Sequence, residues 1–157
     1  MRNYRLVPSK AGYTMIELMI VVAIIAFLSM VAMPSFMRFL AKAKRAEAYM
    51  NLSALYKAQK VYWVEHHKYS NVLSGPESVG WKPEGAHYYT YGFAQGTEGQ
   101  HYFSGKLGTP ASALKDSKVT GDTFLIAAAG DIDGDGKPDV LAVKETGEIM
   151  VLEDDLA

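Results

Sequence analysis

Two sets of residues have types and spacings that suit chemistry. One is a lone carboxylate, Glu17, at the edge of an apolar run; the other is the acidic stretch Gly130-Asp131-Ile132-Asp133-Gly134-Asp135-Gly136-Lys137-Pro138-Asp139. A carboxylate beside so much hydrocarbon costs a few kcal/mol to insert, which marks it as a functional position. If the chain is cut between Gly12 and Tyr13, Tyr13 becomes a new N-terminus with Glu17 one helical turn away. The freed α-amino group then neutralises Glu17, in the same chain or in a neighbouring copy. The positive end of the helix dipole favours the carboxylate as well. The alternative is an interfacial glutamate that reaches up to lipid headgroups.

The acidic stretch reads DxDxDGxxD. Calcium takes about six to eight hard oxygens, and carboxylates at alternate positions of a tight glycine-bearing loop can converge on one ion. Asp131, Asp133, Asp135 and Asp139 offer side chains, and Lys137 a backbone carbonyl. Without a cation, four carboxylates so close repel one another. The plain alternative is a hairpin turn with solvated acids. The loop is not an EF-hand, because Ala142 stands where the bidentate glutamate belongs. It resembles the calcium loops between strands of integrin-type β-propeller repeats, although one loop does not make a propeller.

Little else suggests reactivity. Cysteine is absent, which excludes a disulfide framework, thiolate metal sites and cysteine catalysis. The adjacent His66 and His67 diverge on a helix, and neither HExxH nor a Ser/His/Asp pattern is present. The sequence therefore predicts no enzyme and no required cofactor, with calcium as the one candidate ion. A net charge of -1 lacks the basic excess of a nucleic-acid binder, so none is inferred as a partner.

The element that must position Glu17 is the run Leu18–Met33, whose only polar residue is Ser29. As a helix, the wider span Met15–Met37 is roughly 34 Å long, enough for a bilayer core of roughly 30 Å. It has no polar face, so it belongs in lipid or in an oligomer core that replaces lipid. A cleaved secretory signal is disfavoured, since such apolar regions run about 7–15 residues and Met33-Pro34-Ser35-Phe36 is a poor cleavage site. A plain anchor fits the length. Charge leaves its direction open, with Arg2, Arg5 and Lys10 before it and Arg38, Lys42, Lys44 and Arg45 after it. Pro34 lacks an N–H and crowds the carbonyl of Met30, so a bend or local opening is expected.

Lys10-Ala11-Gly12-Tyr13-Thr14-Met15-Ile16-Glu17-Leu18-Met19, with Pro34 in register behind it, resembles the N-terminus of type IV pilins and type II secretion pseudopilins. Tyr13 and Met15 stand where Phe and Leu are commoner. The resemblance implies cleavage after Gly12 by a prepilin peptidase and N-methylation of Tyr13. It implies waiting in the inner membrane with the leader on the cytoplasmic side and the head outside. An assembly platform and ATPase would then extract the subunit into a helical homopolymer, with Glu17 pairing with a neighbour's Tyr13 amine. Losing the leader removes three of the 16 basic residues and no acidic ones, which leaves 13 against 17.

Beyond Pro34 the pattern turns amphipathic. Tyr49, Leu52, Leu55, Tyr56, Gln59, Tyr62 and Trp63 recur at mostly three- and four-residue spacing, as expected of a helix face on a core. Strands are expected at His87–Phe93, His101–Lys106, Thr123–Ala129, Asp139–Val143 and Glu148–Leu152, with a loop over Thr109–Gly121. The expected organisation is a cleaved leader over 1–12 and an apolar transmembrane or filament-core helix over 13–37. An amphipathic helix over 38–66, an αβ-loop over 67–86 and an antiparallel sheet over 87–157 follow, the last carrying the Asp-rich loop 130–139. This is an α+β chain, a long N-terminal helix packed on a small antiparallel sheet as in the pilin fold.

The expected function is a structural subunit of an extracellular type IV pilus serving adhesion, surface motility or DNA uptake. A type II secretion pseudopilin is the nearest alternative. A membrane-anchored, calcium-dependent binding module is the alternative from another class.

Overall fold

The computed structural model describes residues 12–156. Apart from Gly12, the leader expected over 1–12 lies outside the described residues. The chain divides into two units, Met1–Phe36 and Met37–Ala157.

Helix α1 runs from Met15 to His66, and Pro34 lies within it without interrupting its span. Its start is written locally. Thr14 and Glu17 stand in the Thr-x-x-Glu spacing of a capping box, and they bond reciprocally. Its end is set by His67, whose φ of 53° turns the chain into the left-handed region. In the first unit every residue of the helix is exposed.

In the second unit the helix buries one stripe: Ala41, Ala48, Leu52, Leu55, Gln59 and Tyr62. Spacings of three, four and seven place these residues on one face. Tyr49 and Trp63, expected on that face, are exposed instead. The stripe faces a six-stranded sheet made of β1 (Thr90–Gly92), β2 (Tyr102–Phe103), β3 (Lys118–Thr120), β4 (Thr123–Gly130), β5 (Asp139–Lys144) and β6 (Ile149–Glu153). Strand order is β2-β1-β4-β5-β6, with β3 also paired to β4, and every strand pairing is antiparallel.

Period-two alternation gives the sheet two different faces. Phe124, Ile126, Ala128, Leu141 and Val143 join the helix stripe in the main core. Ala127, Ala129, Val140 and Ala142 point the other way, where Leu114 covers them from a 3-10 turn, Ala111–Leu114. Alanines on that face let the turn lie close. The segment expected as a bare loop over Thr109–Gly121 therefore contains a covering turn and the short strand β3. β1 is shorter than expected, yet backbone bonds continue beside it from Lys106 to His87 and from Leu107 to Tyr88. Gly105 permits this approach, since a Cβ there would sit 2.1 Å from the Tyr88 carbonyl oxygen.

Residues 67–86 contain no strand but are fastened by buried Tyr69, Leu73 and Trp81. Buried Gln59 clamps the loop's first turn, donating from Nε2 to the Ser70 carbonyl at 2.6 Å and accepting the Ser70 N–H at 3.3 Å.

Candidate functional site

In the first unit, Gly12, Tyr13, Glu17 and Pro34 are all exposed. Tyr13 and Met15 are 85% and 83% exposed. Among the described residues this is the one helix long and apolar enough to cross a membrane, and none of its apolar window is buried. At its head the Thr14 N–H and the Thr14 hydroxyl each donate to Glu17 Oε2 at 3.1 Å. The Thr14 Oγ1 in turn accepts the Glu17 N–H at 3.2 Å.

In the second unit the acidic loop follows β4. Asp131, Asp133 and Asp135 come together with Asp155 from the tail after β6, with ligand oxygens all within 4.8 Å of one another. The loop folds its carboxylates inward by using its own amides. Asp131 accepts the Gly134 N–H at 2.7 Å and the Gly136 N–H at 3.0 Å, while Asp133 accepts the Asp135 N–H at 3.1 Å. Asp135 accepts the Lys137 N–H at 2.8 Å. Gly134 and Gly136 both have φ near 90°, which side-chain-bearing residues rarely adopt. Asp155 accepts the Ile132 N–H at 3.1 Å. Burial, followed by repulsion from Asp133, Asp135 and Asp131, raises the Asp155 pKa despite that donor.

Asp139 stands apart from this cluster. It is fully buried at the start of β5. Arg45 Nε donates to its Oδ2 at 3.0 Å, a second Arg45 nitrogen donates to Oδ1, and the Tyr89 hydroxyl donates to Oδ2 at 2.6 Å. Arg45 also pairs with Asp154 in the tail. Burial works against the Arg45 charge, but its bonds to Asp154 and Asp139 outweigh that and raise its pKa. Burial, then the bond to Asp139, raises the Tyr89 pKa. The spacing DxDxDGxxD thus brings three of its aspartates together and sends the fourth to the helix.

Sequence reasoning did not place Asp155, Thr14 or the partner of Arg45. Thr14 was legible from its three-residue spacing to Glu17. Asp155 and Arg45 meet their partners only through tertiary closure, Arg45 lying 94 positions before Asp139. Neighbouring residues tie the loop down: Lys44 Nζ donates to the Ile132 carbonyl at 2.7 Å, and the Asp131 N–H donates to Thr109 Oγ1 at 3.1 Å. Among the described residues, the histidines join no metal-capable cluster.

Residues 8–33 match the family described as the prokaryotic N-terminal methylation motif, and residues 125–152 match the FG-GAP repeat family. Over 133 residues the chain is 37% identical to the type IV major pilin protein PilA of Myxococcus xanthus (strain DK1622), a stretch covering 85% of this chain and 59% of that protein. It is 38% identical over 69 residues to a type IV major pilin protein PilE1 of Neisseria gonorrhoeae, covering 43% of this chain and 42% of that one. It is 31% identical over 75 residues to the type II secretion system core protein G of Escherichia coli (strain K12), covering 48% and 52%. This chain spans less than two thirds of the length of each of these relatives.

Proposed function

We propose that this chain belongs to the type IV pilin and type II secretion pseudopilin superfamily, and that it is a structural subunit of a type IV pilus and not an enzyme. The observation that carries the reading is the bare apolar surface of the first unit. Every described residue of that helix before Met37 is exposed, and the run holds a single carboxylate. None of the described residues covers that surface, which suits lipid or copies of the same helix.

In this reading a prepilin peptidase cuts after Gly12 and N-methylates Tyr13. The subunit then waits in the inner membrane with its head outside the cytoplasm. The assembly platform and ATPase move it into a helical homopolymer at the cell surface, where it serves adhesion, surface motility or DNA uptake. Glu17 pairs with the Tyr13 amine of a neighbour, and Pro34 provides local give in the helix. The likeness to one major pilin over 85% of the chain supports the reading. The test is mass spectrometry of the mature chain, together with the composition of sheared surface filaments. The expected result is N-methyl-Tyr13 and this chain as the bulk component, whereas an intact N-terminus overturns the proposal.

A pseudopilin role is supported by the 31% identity to a type II secretion core protein. It predicts that the chain is cut normally but is missing from sheared surface filaments.

The acidic loop extends the proposal to calcium, held by Asp131, Asp133 and Asp135 with the Lys137 carbonyl. Asp155 stands with those three, while Asp139 is engaged by Arg45. The convergence of four carboxylates supports this ion, and would also suit a calcium-dependent binding module on a membrane anchor. Thermal unfolding with and without a chelator decides it. At a calcium concentration about 100-fold above Kd, bound ion adds about 2.7 kcal/mol, so chelation lowers the midpoint. An unchanged midpoint removes calcium from the account.

A further inference from the structure

We propose that Asp133-Gly134 and Asp135-Gly136 are modification sites, poised to isomerise to isoaspartate, and that Asp131 holds both of them shut. These are the two Asp-Gly bonds of the chain; every other aspartate precedes a residue with a side chain. Glycine has no Cβ to shield the peptide nitrogen that would react. All four residues are exposed, so water reaches them.

The reaction needs a carboxyl carbon close to the next residue's nitrogen, and it needs that nitrogen to give up its proton. The Gly134 nitrogen bonds to the Asp133 Cγ, and one carboxyl oxygen leaves as water, taking the amide proton and one from solvent. A cyclic imide results. Water opens it at either carbonyl, restoring aspartate or leaving isoaspartate with the main chain routed through the side chain. Asp135 and Gly136 react in the same way. The product carries an extra main-chain carbon and a shorter side chain, so an isomerised loop loses the register that brings its carboxylates together.

The first requirement is met. Asp133 Oδ1 accepts the Asp135 N–H at 3.1 Å and Asp135 Oδ1 accepts the Lys137 N–H at 2.8 Å, so each carboxylate folds over the glycine that follows it. The second is withheld. The Gly134 N–H donates to Asp131 Oδ1 at 2.7 Å, and the Gly136 N–H donates to Asp131 Oδ2 at 3.0 Å. Hydrogen bonds to a carboxylate are strong, and its negative charge opposes loss of the amide proton. One aspartate, with an oxygen for each glycine, blocks both sites.

The test follows the imide directly. The detergent-solubilised full chain is incubated at neutral pH in heavy-oxygen water with a chelator, then digested in ordinary water. Mass spectrometry counts heavy oxygens in the peptide holding both bonds, and fragmentation separates isoaspartate from aspartate. The parent is expected to label slowly, and Asp131→Ala at least about tenfold faster at both positions, the scale of one lost bond to a charged group. Asp155→Asn removes a charge but keeps an oxygen for the Ile132 N–H, so it is expected to label like the parent. Asp131→Ala labelling no faster than the parent overturns the inference, as does a parent chain that labels as fast folded as in denaturant. An equal rise in Asp155→Asn overturns it too, because lost charge alone then accounts for the effect.

Discussion

The two stretches of α1 on either side of residue 36 use the same backbone for opposite ends. Before it, apolar side chains stand on all sides and, among the described residues, none is buried. After it, one stripe is buried against the protein's own sheet, while Phe39, Met50, Val61 and Val64 on other faces stay exposed. The carboxylates repeat the contrast. Glu17 is held by one neighbour three residues away and keeps an oxygen free, whereas Asp139 is enclosed by Arg45 and Tyr89 in the core. The apolar stretch leaves one carboxylate oxygen without a hydrogen bond among the described residues, whereas the stretch against the sheet encloses its carboxylate partner.

The contrast is sharpened most by blocking the first stretch alone. Gly12→Leu meets no steric obstacle, since nothing lies within 4 Å of a Cβ there. It should leave the leader attached and abolish filaments. The thermal midpoint of the detergent-solubilised chain should stay unchanged; a midpoint that fell with it would break the separation between the two stretches.

The next largest effect lies in the second stretch. Arg45→Met strands the buried Asp139 charge and should cost about 3–5 kcal/mol in denaturant unfolding. Adding Asp139→Leu should recover much of that loss. Leu52→Ala removes a fully buried side chain from the stripe and should cost about 2–5 kcal/mol by the same measurement. An equal cost from Leu28→Ala, on the exposed stretch, would erase the distinction.

The smallest effect comes from Lys60, whose Nζ donates to the Tyr69 hydroxyl at 2.9 Å. That bond, against a burial cost and with help from Tyr69, Tyr56 and Glu145, raises its pKa. Because the folded value lies above the unfolded one, the stability it adds is fully present below about pH 10.4 and is lost as pH rises through the raised value. Lys60→Met should therefore lower the midpoint slightly at neutral pH, and the gap should close in strong alkali.

The parts of this molecule legible in the sequence are those fixed by short-range spacing. The apolar run and the stripe through Leu52, Leu55 and Gln59 follow from helical periodicity. Strands β4 and β5 were legible because each is a long β-prone run. β3 was not, since Lys118-Val119-Thr120 is short, polar on both ends and defined only by its partner β4. The acidic loop was legible as a turn, while its membership was not. The grip of Arg45 on Asp139 and the return of Asp155 depend on how the β5–β6 hairpin closes against the helix, which no local pattern encodes. Tyr49 and Trp63 misled for a related reason: aromatic residues at near-helical spacing say nothing about which of them the sheet is wide enough to reach.

Arg45 grips the β5–β6 hairpin at its open end, bridging Asp139 at the start of β5 and Asp154 just past the end of β6. In mechanical terms that makes one guanidinium a clasp. A pull on the C-terminus loads the exposed Asp154 contact, worth about 0–1 kcal/mol, before it reaches the buried one or the strand ladder behind it. The weaker half yields first and can re-form when the load is removed, with no bond to remake. In a chain without cysteine, the tail is thus secured by a reversible fuse.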